Sequence, residues 1–388
     1  MNGRAKPLRL PFLDGLRALA AIYVVCFHAA LGFESDLSGP WRALRLAFAF
    51  GHEAVAIFIV LSGYCLMLPV ARAADGKLEG GLGPYFMRRA YRILPPYYAT
   101  LGASLLLMQL VPALREPSGT MWDESLPGLA AGPIVSHLLV IHNWVPAWAF
   151  QINGPLWSVA TEWQIYFFFP LLLLPLWRRF GALVTFAVSA LVGYAPLLFA
   201  SRASMIAIPW YLALFALGML AASAGFAVHT AEHRLLARVR WNVLSAVLWL
   251  ACAAFGLGSP GTWFQLKPLT DLLVGAAAAT LIIDCTQRSL SGRRGLLLRL
   301  LESRAALAVG HFSYSLYLTH LPLLALCYFP LAKAGLTGPA LVLAMLGVGV
   351  PASLLLGFVF YRAIERHFLR PPAVLLAAHR PATIEPRP

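Results

Sequence analysis

Charge is what this chain has least of. Asp, Glu, Lys and Arg make up 12% of its 388 residues, about half the share of a soluble domain, which excludes an ordinary water-exposed fold. Acidic residues are scarcer still, 16 against 30 Lys plus Arg. The resulting net charge of +14 does not mark a nucleic-acid surface, because the basic residues fall between apolar runs and not in one cluster interleaved with aromatics. Cysteine is sparse too. Cys26, Cys65, Cys252, Cys285 and Cys327 form no CxxC pair and lie in or beside apolar runs, so free buried thiols are expected, not metal ligands or disulfides. There is no HExxH and no GxxxxGK[ST], and no GxGxxG follows a strand; neither metal chemistry nor nucleotide hydrolysis is indicated. HxxxxD is missing as well, with Phe33 at that spacing from His28, and Ser158 lacks the GxSxG context of a serine nucleophile.

What the chain has in quantity is long apolar runs. Hydrophobic residues reach 60% and mean hydropathy is +0.73. Stretches of about 17 to 25 apolar residues can cross the hydrocarbon core, and ten are present, at about 11–33, 46–71, 90–112, 155–177, 181–200, 205–225, 242–258, 267–286, 305–330 and 337–361. The pattern predicts an all-α polytopic membrane protein of about ten transmembrane helices. Residues 1–368 form one membrane-embedded domain, and the proline-rich 369–388 is expected to be a disordered cytoplasmic tail.

Arginine and lysine placement gives the orientation. With Arg4, Lys6 and Arg9 cytoplasmic, ten crossings return Arg362, Arg366 and Arg370 to the same side. The alternate loops agree: 72–92, 178–179, 234–240 and 288–304 are arginine-rich, whereas 113–154 carries Glu116, Asp123 and Glu124 against one Arg115. Both termini are therefore expected in the cytoplasm. The apolar piece 133–142 is too short to span and reads as a re-entrant or interfacial segment on the outer side, placed to cover an active site. The first run is long and lacks a small-residue cleavage site, so it reads as a retained helix and not a signal peptide.

That first run, LDGLRALAAIYVVCFHA, contains Arg17 and His28. Eleven residues at 1.5 Å and 100° each put them roughly 16 Å apart along a helix and about 20° apart around it. Ionisable groups within a span are costly unless they face a protein interior or a wet cavity, so a shared face suggests function. The same residues are also compatible with a bond to a neighbouring helix and with snorkelling to headgroups. Asp14, three residues before Arg17, is placed to hold its guanidinium.

Five segments in order carry a resemblance: LDGLRALAAIYVVCFHA, AIFIVLSGYCL at 56–66, MRRAYRILPPYY at 87–98, GPLWSVATEWQIYFFFPLL at 154–172 and SYSLYLTHLPLL at 313–324. Together they resemble the acyltransferase-3 family of integral membrane O-acyltransferases, over about residues 8 to 365. The resemblance implies transfer of an acyl group, usually acetyl, from cytoplasmic acyl-CoA to a hydroxyl of a carbohydrate or similar acceptor. Bacterial members act on lipopolysaccharide, peptidoglycan, exopolysaccharide or secreted small molecules, so a bacterial inner-membrane location is implied. The expected partners are acetyl-CoA or another acyl-CoA as co-substrate, a glycan, glycolipid or glycosylated acceptor, and the lipid bilayer; no metal and no nucleic acid is expected.

The residues fit that chemistry at several points. A thioester is already activated, so the tasks are positioning, proton removal and oxyanion stabilisation. His28 is the candidate base, an acyl-histidine remaining an alternative, and Glu162 and Asp14 complete the candidate catalytic set. Glu162 stands where the family carries its glutamate and is expected to orient His28 or bind the acceptor. Arg88, Arg89 and Arg92, with the family's RxxR spacing, are candidates with Arg17 for the CoA phosphates. Pro95 and Pro96 are expected to stop or kink the third span. Trp157 and Trp163 are candidate sugar platforms, though membrane interfaces collect aromatics anyway. His320 and Tyr317 are further candidates for the substrate site, while His137, His142 and His311 read as structural or interfacial. His52 and Glu53 stand where the family often has small residues. The rival class is a transporter or exporter, but no second half mirrors Arg17 and His28.

Overall fold

The structure is a computed structural model that describes residues 8–34, 37, 39–126, 130–199, 207–226 and 230–372. The basic residues Arg4 and Lys6 and nearly all of the expected tail lie outside these. Helices and turns account for the described residues, with no strand among them. Among the described residues, eight helical stretches are long and apolar enough to cross a membrane. One of them, Leu156–Phe199, has 44 residues, about 66 Å of helix against a hydrocarbon core of about 30 Å. It is interrupted at Gly181, whose φ of 86° and ψ of 178° only glycine adopts without strain. Two crossings therefore share that stretch. The apolar helix Tyr211–Phe226 adds a tenth segment.

The helices that build them are α1 (Phe12–Leu31), α2 (Gly51–Arg72), α3 (Leu82–Leu110), α4 (Leu156–Phe168), α5 (Leu174–Tyr194, whose first turns complete the α4 crossing before the break at Gly181), α6 (Tyr211–Phe226), α7 (Trp241–Gly258), α8 (Lys267–Leu290), α9 (Ser313–Lys333) and α10 (Val350–Ala363, the end of the spanning stretch Gly338–Ala363). Two boundaries differ from the apolar runs. Residues 304–311 form a separate short helix, and the ninth span begins only after Phe312, whose φ of −116° and ψ of 17° break the helix. The third begins at Leu82 and runs through Pro95 and Pro96 without ending, so Arg88, Arg89 and Arg92 are carried on the spanning helix itself. Two consecutive prolines remove two backbone donors, a loss that spanning helices tolerate where neighbouring groups satisfy the freed carbonyls.

Small residues set the packing at the centre. A side chain at Gly63 would meet the Phe215 carbonyl oxygen at 2.0 Å, and one at Gly218 would meet the Val60 carbonyl oxygen at 2.0 Å. α2 and α6 consequently approach backbone to backbone, the contact that drives helix association where lipid supplies no hydrophobic force. α6 is buried along nearly its whole length. α1 lies against α2 and α9, which brings His28, His52 and Tyr317 into one region. The segment 133–142 begins as the helix Ala131–Leu138, about 12 Å long and too short to cross. Tyr97 and Tyr98 of α3 donate to its carbonyl oxygens at His137 (2.9 Å) and Leu138 (2.7 Å).

Candidate functional site

Two cavities lie back to back inside the bundle. The first, about 510 Å³, gathers Arg17, Arg88, Arg89 and Arg92 with Asp14, Glu162 and Glu365. The second, about 500 Å³, holds His28, His52, Glu124 and Lys267 among the rings of Phe150, Trp157 and Trp210. Val55 and Tyr317 line both. Arg17 and His28 thus sit on one helix and open into different cavities, with two side chains forming the common wall. The Tyr317 hydroxyl is fixed 2.6 Å from Ser158 Oγ and donates to the Pro155 carbonyl oxygen at 3.3 Å.

The first cavity sets its four arginines among four carboxyl groups, Glu79 as well as Asp14, Glu162 and Glu365. Arg17 donates to Asp14 Oδ1 at 2.9 Å, the contact expected from the three-residue spacing, and also to Cys65 Sγ at 3.0 Å. Arg88 donates to the Glu79 carbonyl oxygen at 2.8 Å. Arg89 keeps a buried Nε with no partner among the described residues. An orphaned buried guanidinium donor is costly unless a ligand accepts from it. Glu365, just past the last span, accepts from Ser315 Oγ (2.5 Å) and Ser315 N (3.1 Å). Burial pushes its carboxyl above the ordinary range, against the pull of Ser315 and of Arg92.

Glu162 does not hold His28. Its carboxylate accepts from Ser62 and from the Tyr166 hydroxyl (2.6 Å) inside the arginine-lined cavity. The expectation was that it would orient His28 or bind the acceptor; six residues down α4 it reaches the other chamber. His28 is held by a different partner. His320 Nδ1–H donates to the Tyr317 carbonyl oxygen at 2.7 Å, which leaves its Nε2 to accept from His28 Nδ1–H at 3.1 Å. His28 Nδ1 also lies 2.9 Å from the Val24 carbonyl oxygen. Both acceptors keep the His28 proton on Nδ1, so Nε2 carries the free lone pair. His320 is fully buried and lines neither cavity, so it stands behind His28.

Of the candidate aromatics, Trp157 and Tyr317 line the second cavity. Trp163 does not; it packs edge-on against Phe167 at 5.4 Å. The segment between α3 and α4 contributes Met121, Glu124, Ser125, Phe150 and Gly154 to that cavity's wall, whereas 133–142 lies apart from it. His137 and His142 stack at 3.8 Å with rings 9° apart, both buried. His311 lines the first cavity. Five cysteines are free, as expected.

Several members were not foreseen. Tyr166 is four residues beyond Glu162 and on the same helix face, a signal that was present. Ser62, Cys65 and Glu365 reach the site from other helices. His52, whose role the sequence left open, lines the second cavity and bonds Asp271 Oδ2 at 3.1 Å.

The acyltransferase-3 profile, described as an acyltransferase domain, matches residues 10–362. Over 169 residues the chain is 31% identical to the acyltransferase MdmB of Streptomyces mycarofaciens, covering 42% of this chain and 39% of that protein. It is 26% identical over 177 residues to a Bacillus subtilis protein named as a candidate peptidoglycan O-acetyltransferase, YrhL, covering 42% of this chain and 24% of that protein. Protein 2 of the picA locus of Rhizobium radiobacter is 30% identical over 195 residues, 49% of this chain and 91% of that protein. The chain thus spans well under half the length of the first two. No solved structure matches.

Proposed function

The chain belongs to the acyltransferase-3 family of integral membrane acyltransferases, and from that premise we propose that it moves an acyl group, acetyl in the first instance, from acyl-CoA to a hydroxyl of a glycan, glycolipid or glycosylated small molecule. The arginine cavity faces the cytoplasm of a bacterial inner membrane, with both termini on that side. One observation carries the reading: Arg17 and His28 share a helix and open into two chambers that meet at Val55 and Tyr317.

Arg17, Arg88, Arg89 and Arg92 hold the CoA phosphates, the planar guanidinium fork matching phosphate oxygens two at a time. The thioester arm extends along α1 for the roughly 16 Å between Arg17 and His28, past Tyr317. In the second chamber His28 Nε2 takes the proton of the acceptor hydroxyl as its oxygen attacks the acyl carbon; the C–S bond breaks and the sulfur leaves with the electron pair. Trp157 supplies an aromatic wall for the acceptor. Glu162 stays with the donor, tying α2 to α4 through Ser62 and Tyr166 and balancing the arginines.

The test uses purified full-length protein, labelled acetyl-CoA and envelope or metabolite extracts, read by mass spectrometry. A labelled ester is expected with the wild type and not with His28→Ala. Arg17→Ala weakens CoA binding and His28→Ala leaves it largely intact; equal loss in both refutes the division of labour. Absence of CoA binding by the wild type refutes the proposal.

A further inference from the structure

The second cavity contains a histidine that the mechanism above does not use. His52, at the start of α2, stacks on Trp157 with ring planes 12° apart and centroids 5.7 Å apart. Its Nε2 lies 3.1 Å from Asp271 Oδ2, and the Tyr211 hydroxyl is 3.3 Å from the same nitrogen. Asp271 is fully buried in α8 and also accepts from Trp210 Nε1 at 2.8 Å, while its Oδ1 has no partner among the described residues. A carboxylate sealed inside a span is costly and is found where it does something. Here it faces a histidine whose side chain keeps 19% exposure in the wall of the cavity.

The bond determines what His52 can offer. A carboxylate only accepts, so Nε2 carries the proton given to Asp271 and Nδ1 keeps the lone pair. The partner of Nδ1 must donate. His28 is in the mirror situation, with Nδ1 committed and Nε2 free. One chamber therefore presents two imidazole acceptors, each pinned from behind.

We propose that His52, oriented by buried Asp271, binds a second hydroxyl of the acceptor while His28 engages the hydroxyl that is acylated, so that the acceptor is a polyhydroxylated molecule with a free hydroxyl beside the acylated one. This deepens the acyl-transfer reading and rests on it. Asp271 and Trp157 are positioning residues: the first fixes the tautomer, the second the plane of the ring. Binding a hydroxyl with a buried partner discriminates strongly against analogues that lack it; at a partly exposed imidazole the loss of one such bond is about tenfold.

The experiment measures kcat/KM of the full-length protein with acetyl-CoA and two probes, ethylene glycol and ethanol, with hydroxylamine as a third acceptor that needs no second hydroxyl. The wild type is expected to prefer glycol to ethanol about tenfold, beyond the factor of two from its two equivalent hydroxyls. His52→Phe, which retains the stack on Trp157, and Asp271→Asn are expected to bring that ratio down to about two. A ratio unchanged in both variants, or a wild type that treats the two alcohols alike after the factor of two, overturns the second-hydroxyl site. Hydroxamate without ester from either alcohol overturns it also. No hydroxamate from the wild type refutes acyl transfer itself and the proposal with it.

Discussion

Replacing His320 by Phe tests whether a buried histidine acts through another. In the native arrangement His28 Nδ1–H has two acceptors, His320 Nε2 at 3.1 Å and the Val24 carbonyl oxygen at 2.9 Å. His320→Phe removes the first and leaves the second, so the tautomer survives while the charge that develops on His28 loses one partner. A hydrogen bond of this kind is worth about 1 to 1.5 kcal/mol, which corresponds to about tenfold in kcat at about 1.4 kcal/mol per decade. Loss of the base itself, by His28→Ala, is expected to cost about a hundredfold to ten-thousandfold. His320→Gln, which returns an acceptor oxygen, restores part of the rate. The assay is steady-state release of CoA thiol with KM for acyl-CoA followed in parallel, and a thermal melt shows that each variant is folded. If kcat stays at the wild-type value, or falls as far as in His28→Ala, the positioning role is wrong. A rise in KM at constant kcat would instead put His320 in contact with substrate.

The wall the two chambers share gives a second prediction: Tyr317→Ala widens the passage that the thioester arm takes beside it, so hydrolysis of acyl-CoA rises relative to ester formation, and an unchanged partition ratio measured by mass spectrometry refutes the constriction. Arg89→Ala raises KM for acetyl-CoA about tenfold but hardly changes it for acetyl-pantetheine, which lacks the nucleotide phosphates; equal effects on both would remove Arg89 from phosphate binding. The segment between α3 and α4 yields a pH dependence. Burial, and after it the nearby His137, hold His142 down to about 2 from its ordinary 6.5. As pH falls below 6.5 the unfolded chain takes up a proton that the folded chain refuses, so stability drops by up to about 1.4 kcal/mol per pH unit, about 2 kcal/mol by pH 5. Thermal melts between pH 7.5 and 5 are expected to show this slope and His142→Phe to flatten it; parallel slopes would show that His142 does not titrate on unfolding.

How much of this was legible along the chain depends on the reach of each interaction. Ten apolar runs were readable because bilayer thickness acts on contiguous residues, and the Asp14 to Arg17 pair because three residues are neighbours on a helix. The breaks at Gly181 and Phe312 were half readable. A glycine signals freedom of φ, but only the packed bundle determines whether it is used. The partners of the two cavity histidines were not readable at all: His28 meets His320 across 292 residues and His52 meets Asp271 across 219, and no local period encodes such contacts. Glu162 shows the cost of that blindness, since its position in a motif suggested His28 as its partner whereas the depth of α4 delivers it to the arginines.

The same reasoning explains why His52 escaped assignment by resemblance. A residue that departs from the family pattern carries no inherited role, yet it has a buried carboxylate behind it, an aromatic plane beside it and a cavity in front. On the proposed reading the donor-binding residues follow the shared motifs, because every acyl-CoA has the same phosphates. Acceptor chemistry varies from one member to another, so the residues that read it are those a common pattern omits. On that argument the variants that alter acceptor preference without altering KM for acyl-CoA should fall at His52, Asp271 and Trp157, and those that do the reverse at Arg17, Arg89 and Arg92. Kinetic constants for donor and acceptor measured across both sets test the partition. Variants from each set that shift the two KM values together would show that the chambers are one site.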